Sequence, residues 1–528
     1  MASVQLYDTT LRDGAQSEGI SFSVVDKLHI ARKIDELGIQ YIEGGWPGSN
    51  PKDAEFYEKV KGLSLKNARI VGFGSTRRHD TKAEEDNNLI MLVKAGVKIA
   101  TLVAKSSDLQ VIRVLKTTLE KNLDMIADSI RYLKSKGIKV FFDAEHYFDG
   151  YKSNKEYALK TLTVAAKTGA DCLVLCDTNG GALPDEITKA VKAAIKTTKV
   201  RLGIHCHNDG GLAVANTLAA VAAGVTQIQG TINGLGERCG NADLCTIIPA
   251  LKLKMGINCI SDKQLASLTE VAHYVSELAN ITPDPYAPYV GTSAFSHKAG
   301  YHMDGVTKWP DAYQHIDPAK VGNQQRTVVS DQSGKRNIIA KAKELGIDLS
   351  DAEKEVKNLL ERIKQLESRG FQYDNAEASF ELLLHKAKPN YNPPFELVDF
   401  MVVVESRRRS SIHKSAEEML SEAMVKVKVG GEIIHEAAEG DGPVNALDLA
   451  LRKALLKFYP SLKKIKLVDY KVRILEESTG TESQVRVLIE SSDGVNEWRT
   501  VGGSTNIIEA SWMALADGLE WWLLKQKK

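Results

Sequence analysis

The chain has 528 residues, more than one hydrophobic core normally covers, which predicts two or three domains. Its 69 Lys and Arg residues nearly balance 68 Asp and Glu residues, so the formal net charge of +1 gives no reason to expect a nucleic-acid partner. The sequence also lacks a run of about 18 apolar residues and an N-terminal signal-peptide pattern, so we expect no membrane association.

The first 260 residues repeat a pattern of short β-forming segments and longer helical segments. A glycine closes several of the helical segments, as expected one residue beyond a helix end. These glycines are Gly38, Gly96, Gly137, Gly169 and Gly224. The predicted strands are residues 4–7, 39–43, 70–74, 98–103, 139–143, 172–176, 201–205 and 226–229.

Eight strands alternating with helices over this length predict an α/β fold, a (β/α)8 TIM barrel spanning residues 1–280. The alternative is an open, doubly wound sheet. That fold would place a glycine-rich phosphate loop after the first strand, whereas residues 8–14 read DTTLRDG. The barrel is therefore the favoured architecture.

A TIM barrel gathers its chemistry at the C-terminal ends of its strands, and polar residues occur there in this sequence. Random placement would scatter such residues along the strands. The main candidates are Arg12, Asp13, Glu43, Asp143, Glu145, Asp177, Thr178, His205, His207 and Asn241.

Two histidines at the end of the seventh strand form the clearest candidate site. His205 and His207 lie two residues apart, so on a strand both side chains face the same way. With Asp13 after the first strand they supply two imidazoles and one carboxylate, a set suited to a divalent metal ion. Such an ion would leave positions open for a 2-oxo acid and would polarise its ketone.

Two further residues fit chemistry beside a metal-bound ketone. Arg12 lies next to Asp13 and would share the developing alkoxide charge. Glu145, at the end of the fifth strand, is a candidate acid–base group, although a strand-end carboxylate paired with a nearby arginine would look the same in sequence. These residues would serve equally in a reaction that forms, or in one that breaks, a bond next to a 2-oxo acid.

The six cysteines fall within one stretch, residues 172–259, without the spacing of a zinc knuckle. Cysteines inside apolar segments are typical of reduced core residues. We therefore expect a cytoplasmic protein.

Three motifs make the chain similar to a known family. Residues 8–16 (DTTLRDGAQ), 205–209 (HCHND) and 233–241 (NGLGERCGN) together resemble the 2-isopropylmalate synthase/homocitrate synthase/citramalate synthase family. The resemblance spans the whole chain and implies an acyltransferase that condenses acetyl-CoA with a 2-oxo acid and water. It also implies one divalent metal ion (Mn, Zn, Mg or Co) held by Asp13, His205 and His207, with Asn241 at or near the metal.

The same resemblance assigns the remaining site residues. It implies that Arg12 polarises the ketone and that Thr178 holds the carboxylate of the 2-oxo acid. Glu145 corresponds to the catalytic glutamate, and His302 to a histidine that helps to remove the acetyl methyl proton. In the family this histidine belongs to a linker that reaches over the barrel of a partner subunit, which implies a homodimer.

Within the family, residues 42–51 (IEGGWPGSNP) favour the citramalate-forming branch, because 2-isopropylmalate synthases more often read Glu-Val-Gly-Phe-Pro there. 2-Isopropylmalate synthases, the enzymes of leucine synthesis, also tend to carry Glu at the position of Cys245. Trp46 is either a residue that restricts the oxo-acid pocket to a methyl group or a packing residue of the barrel rim. We predict pyruvate as substrate and (R)-citramalate as product, with 2-isopropylmalate synthase as the alternative.

Other protein classes would share parts of this pattern. A lyase that cleaves a 3-hydroxyacyl-CoA, or a biotin-dependent carboxyltransferase, would share much of the barrel site. A metal-dependent sensor would keep the barrel as a scaffold without catalysis. The regions after residue 280 favour the synthase over the first two, and the complete set of site residues disfavours the sensor.

Two further regions are predicted after the barrel. Residues 281–392 form a linker, with a histidine-containing loop at 293–305 and helical periodicity over 334–388. Residues 393–528 contain two copies of a strand-rich unit that ends in a helix. This βββα-like duplication predicts an α+β regulatory domain, dimerising and binding the end product isoleucine, or an oligomerisation domain without ligand.

Overall fold

The computed structural model describes residues 4–297, 305–306, 308–327, 335–347, 353–368, 371–373, 376–388, 391–405, 420–475 and 483–526. The chain divides into two compact units, Met1–Phe295 with His315–Gln325, and Ser296–Gln314 with Arg326–Lys528. The predicted domain limits at residues 280 and 392 stay predictions.

The first unit contains a closed barrel of eight parallel strands in sequential order, with β8 pairing back onto β1. The predicted (β/α)8 barrel is therefore confirmed. The strands are β1 (Gln5–Asp8), β2 (Tyr41–Glu43), β3 (Arg69–Ser75), β4 (Ile99–Lys105), β5 (Lys139–Glu145), β6 (Cys172–Asp177), β7 (Leu202–Cys206) and β8 (Gln227–Gly230).

Twelve α-helices lie along the same unit. The predicted glycine positions are confirmed, since all five adopt a positive φ. At Gly38 a side chain would also collide with Gln264. The helices are α1 (Val24–Glu36), α2 (Pro51–Lys59), α3 (Asn87–Lys94), α4 (Asp108–Arg113), α5 (Leu119–Ser135), α6 (Tyr147–Ser153), α7 (Lys155–Thr168), α8 (Pro184–Thr197), α9 (Ala213–Ala222), α10 (Leu244–Pro249), α11 (Asp262–Leu265) and α12 (Leu268–Leu278).

The interior of the barrel is filled by side chains rather than open. Tyr7, Tyr41 and Phe141 meet there with ring centroids 5.3 to 6.3 Å apart, surrounded by smaller apolar residues and two cysteines. All six cysteines are free, and five of them are buried. The cytoplasmic location itself stays a prediction.

The second unit begins with a small parallel pair, β9 (Ser296–His297) and β10 (Arg326–Thr327). Three helices follow, α13 (Lys335–Glu344), α14 (Glu353–Ser368) and α15 (Glu377–Lys386). They pack around one apolar cluster that includes Ile338, Leu359 and Phe380. The predicted helical linker is confirmed for the described residues.

The C-terminal part of this unit contains the predicted duplication. Each copy is a three-stranded antiparallel sheet followed by a helix, and each first strand carries a bulge at the same relative place. The first copy comprises β11 (Glu396–Glu405), β12 (Leu420–Val429), β13 (Glu432–Gly440) and α16 (Pro443–Leu456). The second comprises β14 (Lys466–Ile474), β15 (Val485–Ser492), β16 (Glu497–Ser504) and α17 (Ile507–Gln526). Across the described residues, no helix has the length and hydropathy needed to cross a bilayer.

Candidate active site

Asp13, His205 and His207 meet at the C-terminal end of the barrel, and all three are buried. Asp13 Oδ2 lies 3.4 Å from His205 Nε2 and 3.8 Å from His207 Nε2. The potential ligand atoms of the three residues all lie within 4.8 Å of one another. The arrangement forms a candidate site for one divalent metal ion.

The hydrogen bonding around the cluster fits a cation. Asp13 Oδ1 and Asn241 Oδ1 are buried oxygen atoms that accept no hydrogen bond from the described residues. A buried carboxylate or amide oxygen without a donor is costly unless a cation or water satisfies it. Asn241 is placed beside the cluster because it forms an isolated β-bridge with His207.

The electrostatics of Asp13 and His207 also favour the ligand states that a metal requires, whereas the pKa of His205, despite the effect of its burial, is raised by Asp13. Burial alone would raise the pKa of Asp13, but Arg12 and His205 outweigh it and hold this pKa well below its usual range. Burial and the nearby His205 lower the pKa of His207 to about 4. An ionised carboxylate and a neutral imidazole are the forms that bind a metal ion.

A second layer of side chains orients His205. Its Nδ1 lies 3.0 Å from Gln229 Oε1, and Gln229 Nε2 donates to Asp143 Oδ1 at 3.2 Å. Because the Gln229 oxygen can only accept, the proton of neutral His205 resides on Nδ1 and the lone pair of Nε2 faces Asp13.

Replacing Gln229 by leucine should therefore weaken metal binding by about 10- to 100-fold, because His205 loses the partner that fixes its tautomer. Equilibrium dialysis against Mn²⁺ with metal analysis measures the change. Gln227→Leu is the matched control, since Gln227 is also buried on β8 but contacts Cys172 rather than a histidine. Equal affinity in the Gln229 variant would contradict the positioning role.

Arg12 is held in one orientation by three neighbours. Its Nη1 lies 3.0 Å from Asp13 Oδ2, and its Nε donates to Glu43 Oε2 at 2.5 Å. Below it, the ring centroid of Phe73 lies 4.0 Å from the guanidinium carbon. The guanidinium is thus fixed beside the candidate metal site.

Glu43 belongs to this site, although only its strand-end position, and no specific role, was predicted. Its carboxylate is fully buried and accepts hydrogen bonds from Thr9, Tyr7 and Arg12. The sequence did place it at the end of the second strand. Catalytic groups of barrels collect at these strand ends, so the position of Glu43 was the indication that it belongs to the site.

Glu145 is the last residue of β5 and pairs in register with Lys105, the last residue of β4. Its Oε2 lies 2.7 Å from Lys105 Nζ, so Glu145 does form an ion pair, with a lysine rather than with the expected arginine. Both residues line a cavity of about 340 Å³ with residues 75–80 at the end of β3. The catalytic role of Glu145 stays a prediction.

Thr178 follows β6, and both its side chain and its backbone are anchored. Its Oγ1 accepts a hydrogen bond from His146 N at 2.8 Å, and its carbonyl accepts one from Arg238 Nη2 at 2.8 Å. Arg238 also forms a bidentate pair with Asp209 at 2.8 and 2.9 Å. Arg238, which the sequence left unassigned, therefore ties together the loops after β6, β7 and β8.

Trp46 lies behind Phe73 rather than against Arg12. Its ring meets the Phe73 ring edge-on, with centroids 5.4 Å apart, and its Nε1 donates to Asn88 Oδ1 at 2.5 Å. Phe73 therefore contacts both Arg12 and Trp46.

The predicted site residues separate into three groups. Arg12, Asp13, His205 and His207 form one contiguous cluster, with Asn241 bridged to it. Glu145 and Thr178 occupy strand ends on the same face of the barrel. His302 lies outside the described residues, so its role stays a prediction.

Asp8, at the end of β1, is a fully buried carboxyl group close to this site. It accepts hydrogen bonds from Thr10 Oγ1 at 2.7 Å and Thr10 N at 3.0 Å. Burial raises its pKa to about 7 despite these bonds. The protonated form is therefore favoured in the folded barrel below neutral pH.

This buried acid should make the barrel less stable as pH rises from about 4 to 7, because the unfolded chain releases the proton first. The loss approaches about 4 kcal/mol at most. Asn mimics the protonated acid, so Asp8→Asn should gain stability relative to wild type between pH 5 and pH 8, as measured by urea unfolding. Asp124→Asn, at an exposed position on α5, is the control and should show no such trend.

A closed (β/α)8 barrel with an aspartate, two histidines and an arginine at the strand ends defines a barrel enzyme with a candidate divalent-metal site. The HMGL-like family model matches residues 3–275. The homocitrate synthase post-HMGL domain-like model matches residues 289–370, and the LeuA allosteric (dimerisation) domain model matches residues 374–523.

Full-length relatives refine this assignment. The chain is 52% identical to an (R)-citramalate synthase of Geobacter sulfurreducens, covering 100% of this chain and 99% of the relative. It is 51% identical to an (R)-citramalate synthase of Aquifex aeolicus, covering 99% and 98%. A 2-isopropylmalate synthase of Methanocaldococcus jannaschii is 33% identical, covering 99% and 96%.

The chain therefore belongs to the HMGL-like family and, within it, to the group of citramalate and 2-isopropylmalate synthases. The predicted family membership is confirmed, and with it the prediction of an acyltransferase. The chain is more similar in sequence to these two (R)-citramalate synthases than to this 2-isopropylmalate synthase, which confirms the preference for the citramalate synthase branch.

Proposed function

We propose that the protein condenses acetyl-CoA with pyruvate and water to give (R)-citramalate and CoA. The observation that carries the proposal is the buried cluster of Arg12, Asp13, His205 and His207 at the strand ends. Full-length identity of about half to (R)-citramalate synthases supports the choice of reaction.

One divalent ion (Mn, Zn, Mg or Co) is the proposed cofactor. Asp13, His205 and His207 would hold it, and the unpartnered Asn241 Oδ1 lies at the same place. When bound, such an ion supplies a Lewis acid for the ketone of the 2-oxo acid.

Arg12 and Thr178 bind and polarise the 2-oxo acid. Glu43 and Phe73 fix the position of the Arg12 side chain beside Asp13. Its positive charge therefore lies where it stabilises the alkoxide that forms from the ketone. Thr178 offers its hydroxyl to the carboxylate of the substrate. The contact of Arg238 with the Thr178 carbonyl holds the loop that carries this hydroxyl.

Glu145 acts as the base that removes the weakly acidic methyl proton of acetyl-CoA. Lys105 positions its carboxylate, and the adjoining cavity accommodates the thioester arm. His302 assists the proton transfer from a partner subunit.

Pyruvate is favoured over larger acids by steric exclusion. Extra apolar contact would otherwise favour 2-oxoisovalerate, so the pocket must reject an isopropyl group by its shape. Phe73 lies directly under Arg12, and Trp46 supports it from behind. These two rings leave room for a methyl group beside the ketone.

The C-terminal duplication serves as an isoleucine-binding regulatory domain and as the contact surface of a homodimer. Exposed apolar side chains lie on the first strand of each copy, among them Met401 on β11 and Val468 and Ile474 on β14. A second subunit would remove this surface from water. Gly442 precedes α16 without a side-chain cap, and the backbone N–H groups that follow Pro443 would suit an amino-acid carboxylate.

Initial rates of thiol release with pyruvate, 2-oxoisovalerate and 2-oxoglutarate, each with and without isoleucine or leucine, test this function. We expect the highest kcat/KM with pyruvate and inhibition by isoleucine. A preference for 2-oxoisovalerate with inhibition by leucine would establish 2-isopropylmalate synthesis instead. Absence of thiol release with every acid in the presence of metal would favour a non-catalytic sensor.

A further inference from the structure

A second cavity, of about 550 Å³, lies at the opposite end of the barrel from the candidate active site. It is formed where β3, β4 and β5 begin, whereas Glu145 and Lys105 stand where β5 and β4 end. The floor of the cavity is apolar. Its apolar lining comprises Val60, Leu63, Leu65, Ile70 and Val97.

Among the described residues, four cationic side chains and no acidic side chain line this cavity. They are Lys61, Arg69, Lys98 and Lys139, all exposed. Within the described residues none of the four is joined to a carboxylate by an ion pair of 4 Å or less. The four positive charges around the mouth of the cavity repel each other. Binding of an anionic ligand would reduce this repulsion.

The three connections that form the mouth are basic in sequence, although Lys59 and Lys134 within them form ion pairs with Glu55 and Asp171. Residues 59–69, 94–98 and 134–139 contain no Asp or Glu, although the whole chain is almost balanced. Their cations are Lys59, Lys61, Lys66, Arg69, Lys94, Lys98, Lys134, Lys136 and Lys139.

Helix dipoles account for only part of this pattern. Lys59, Lys94 and Lys134 occupy the last turns of their helices, where a cation is favourable without any ligand. Arg69 and Lys139 instead begin strands, and Lys98 immediately precedes β4. The cavity-lining cations therefore need a different explanation.

The mouth of the cavity is also open. Gly137 ends the connection before β5 with φ 74°, and a side chain there would meet nothing within 4 Å. At Gly96 an added side chain would meet only the end of Lys61. A ligand can thus reach both the apolar floor and the cationic rim.

We propose that this cavity binds a nucleoside polyphosphate, with the base on the apolar floor and the phosphates on the four cations. Lysine and arginine are the side chains that bind phosphate groups, and an apolar cleft of this size holds a ring system. The site is independent of the catalytic end and of the reaction proposed above.

Isothermal titration of the full-length protein with ATP, in buffer without divalent ions, tests the proposal. Lys98→Ser with Lys139→Ser should weaken ATP binding by about tenfold or more, because two phosphate contacts are lost. The matched control, Lys94→Ser with Lys136→Ser, removes two cations from the same face but outside the cavity lining. It should change the affinity by less than about threefold. Both double variants should retain thiol release.

A cavity-filling variant separates a true pocket from a charged surface. Leu65→Trp should weaken ATP binding while leaving the binding of inorganic triphosphate unchanged. Equal weakening by both double variants, unaltered ATP binding in Leu65→Trp, or no ATP binding by wild type at millimolar concentration would each overturn the proposal.

Discussion

Replacing His207 by alanine is expected to abolish condensation and to leave the purified protein without its divalent ion. His207 is one of three candidate ligands, and no fourth His, Cys, Asp or Glu of the described residues joins this group. Since loss of a residue that only orients a ligand costs about 10- to 100-fold in metal affinity, loss of a ligand should cost more. Metal analysis and thiol release measure the two effects.

His29→Ala is the control for this experiment, because His29 is exposed on α1 and far from the strand ends in sequence. Chelation should inactivate the wild type, and added Mn²⁺ should restore it, whereas the His207 variant should stay inactive at the same Mn²⁺ concentration. Full activity of metal-free wild-type protein would contradict the metal site.

The barrel was predictable because its determinants are local. Strand and helix periodicities can be counted along the chain, and glycines such as Gly38 and Gly169 mark helix ends through their positive φ. The eight predicted strands all form, with shifts of one or two residues. At the site, Glu145 ends β5 as expected, and Lys105 is the last residue of β4, two residues beyond the predicted strand end.

The pairing inside the site was less predictable, because it depends on which side chains the closed barrel brings together. The grouping of Asp13 with His205 and His207 was predicted from their places after strand ends, whereas the partners of Glu43 and Gln229 were not. Glu43 and Gln229 come from β2 and β8, and nothing near them in sequence indicates Arg12 or His205 as partners. Such contacts between distant strands follow only from the three-dimensional fold.

Glu145→Gln should lower kcat by about two orders of magnitude or more with a much smaller change in the KM for pyruvate. The amide keeps the shape of the side chain but cannot accept the methyl proton of acetyl-CoA. The substitution also removes the ion pair with Lys105, whose atoms lie 2.7 Å apart. A loss of activity alone would therefore not distinguish a base from a structural ion pair.

Lys105→Met makes that distinction, because it removes the same ion pair and leaves the Glu145 carboxylate intact. If Glu145 is the base, the Lys105 variant should retain much more activity than the Glu145 variant. The exchange of acetyl methyl protons with deuterium, measured without net turnover, should be lost in Glu145→Gln and kept in Lys105→Met. Equal losses in both variants would make the ion pair the important feature and move the base to another residue, with His302 the first candidate.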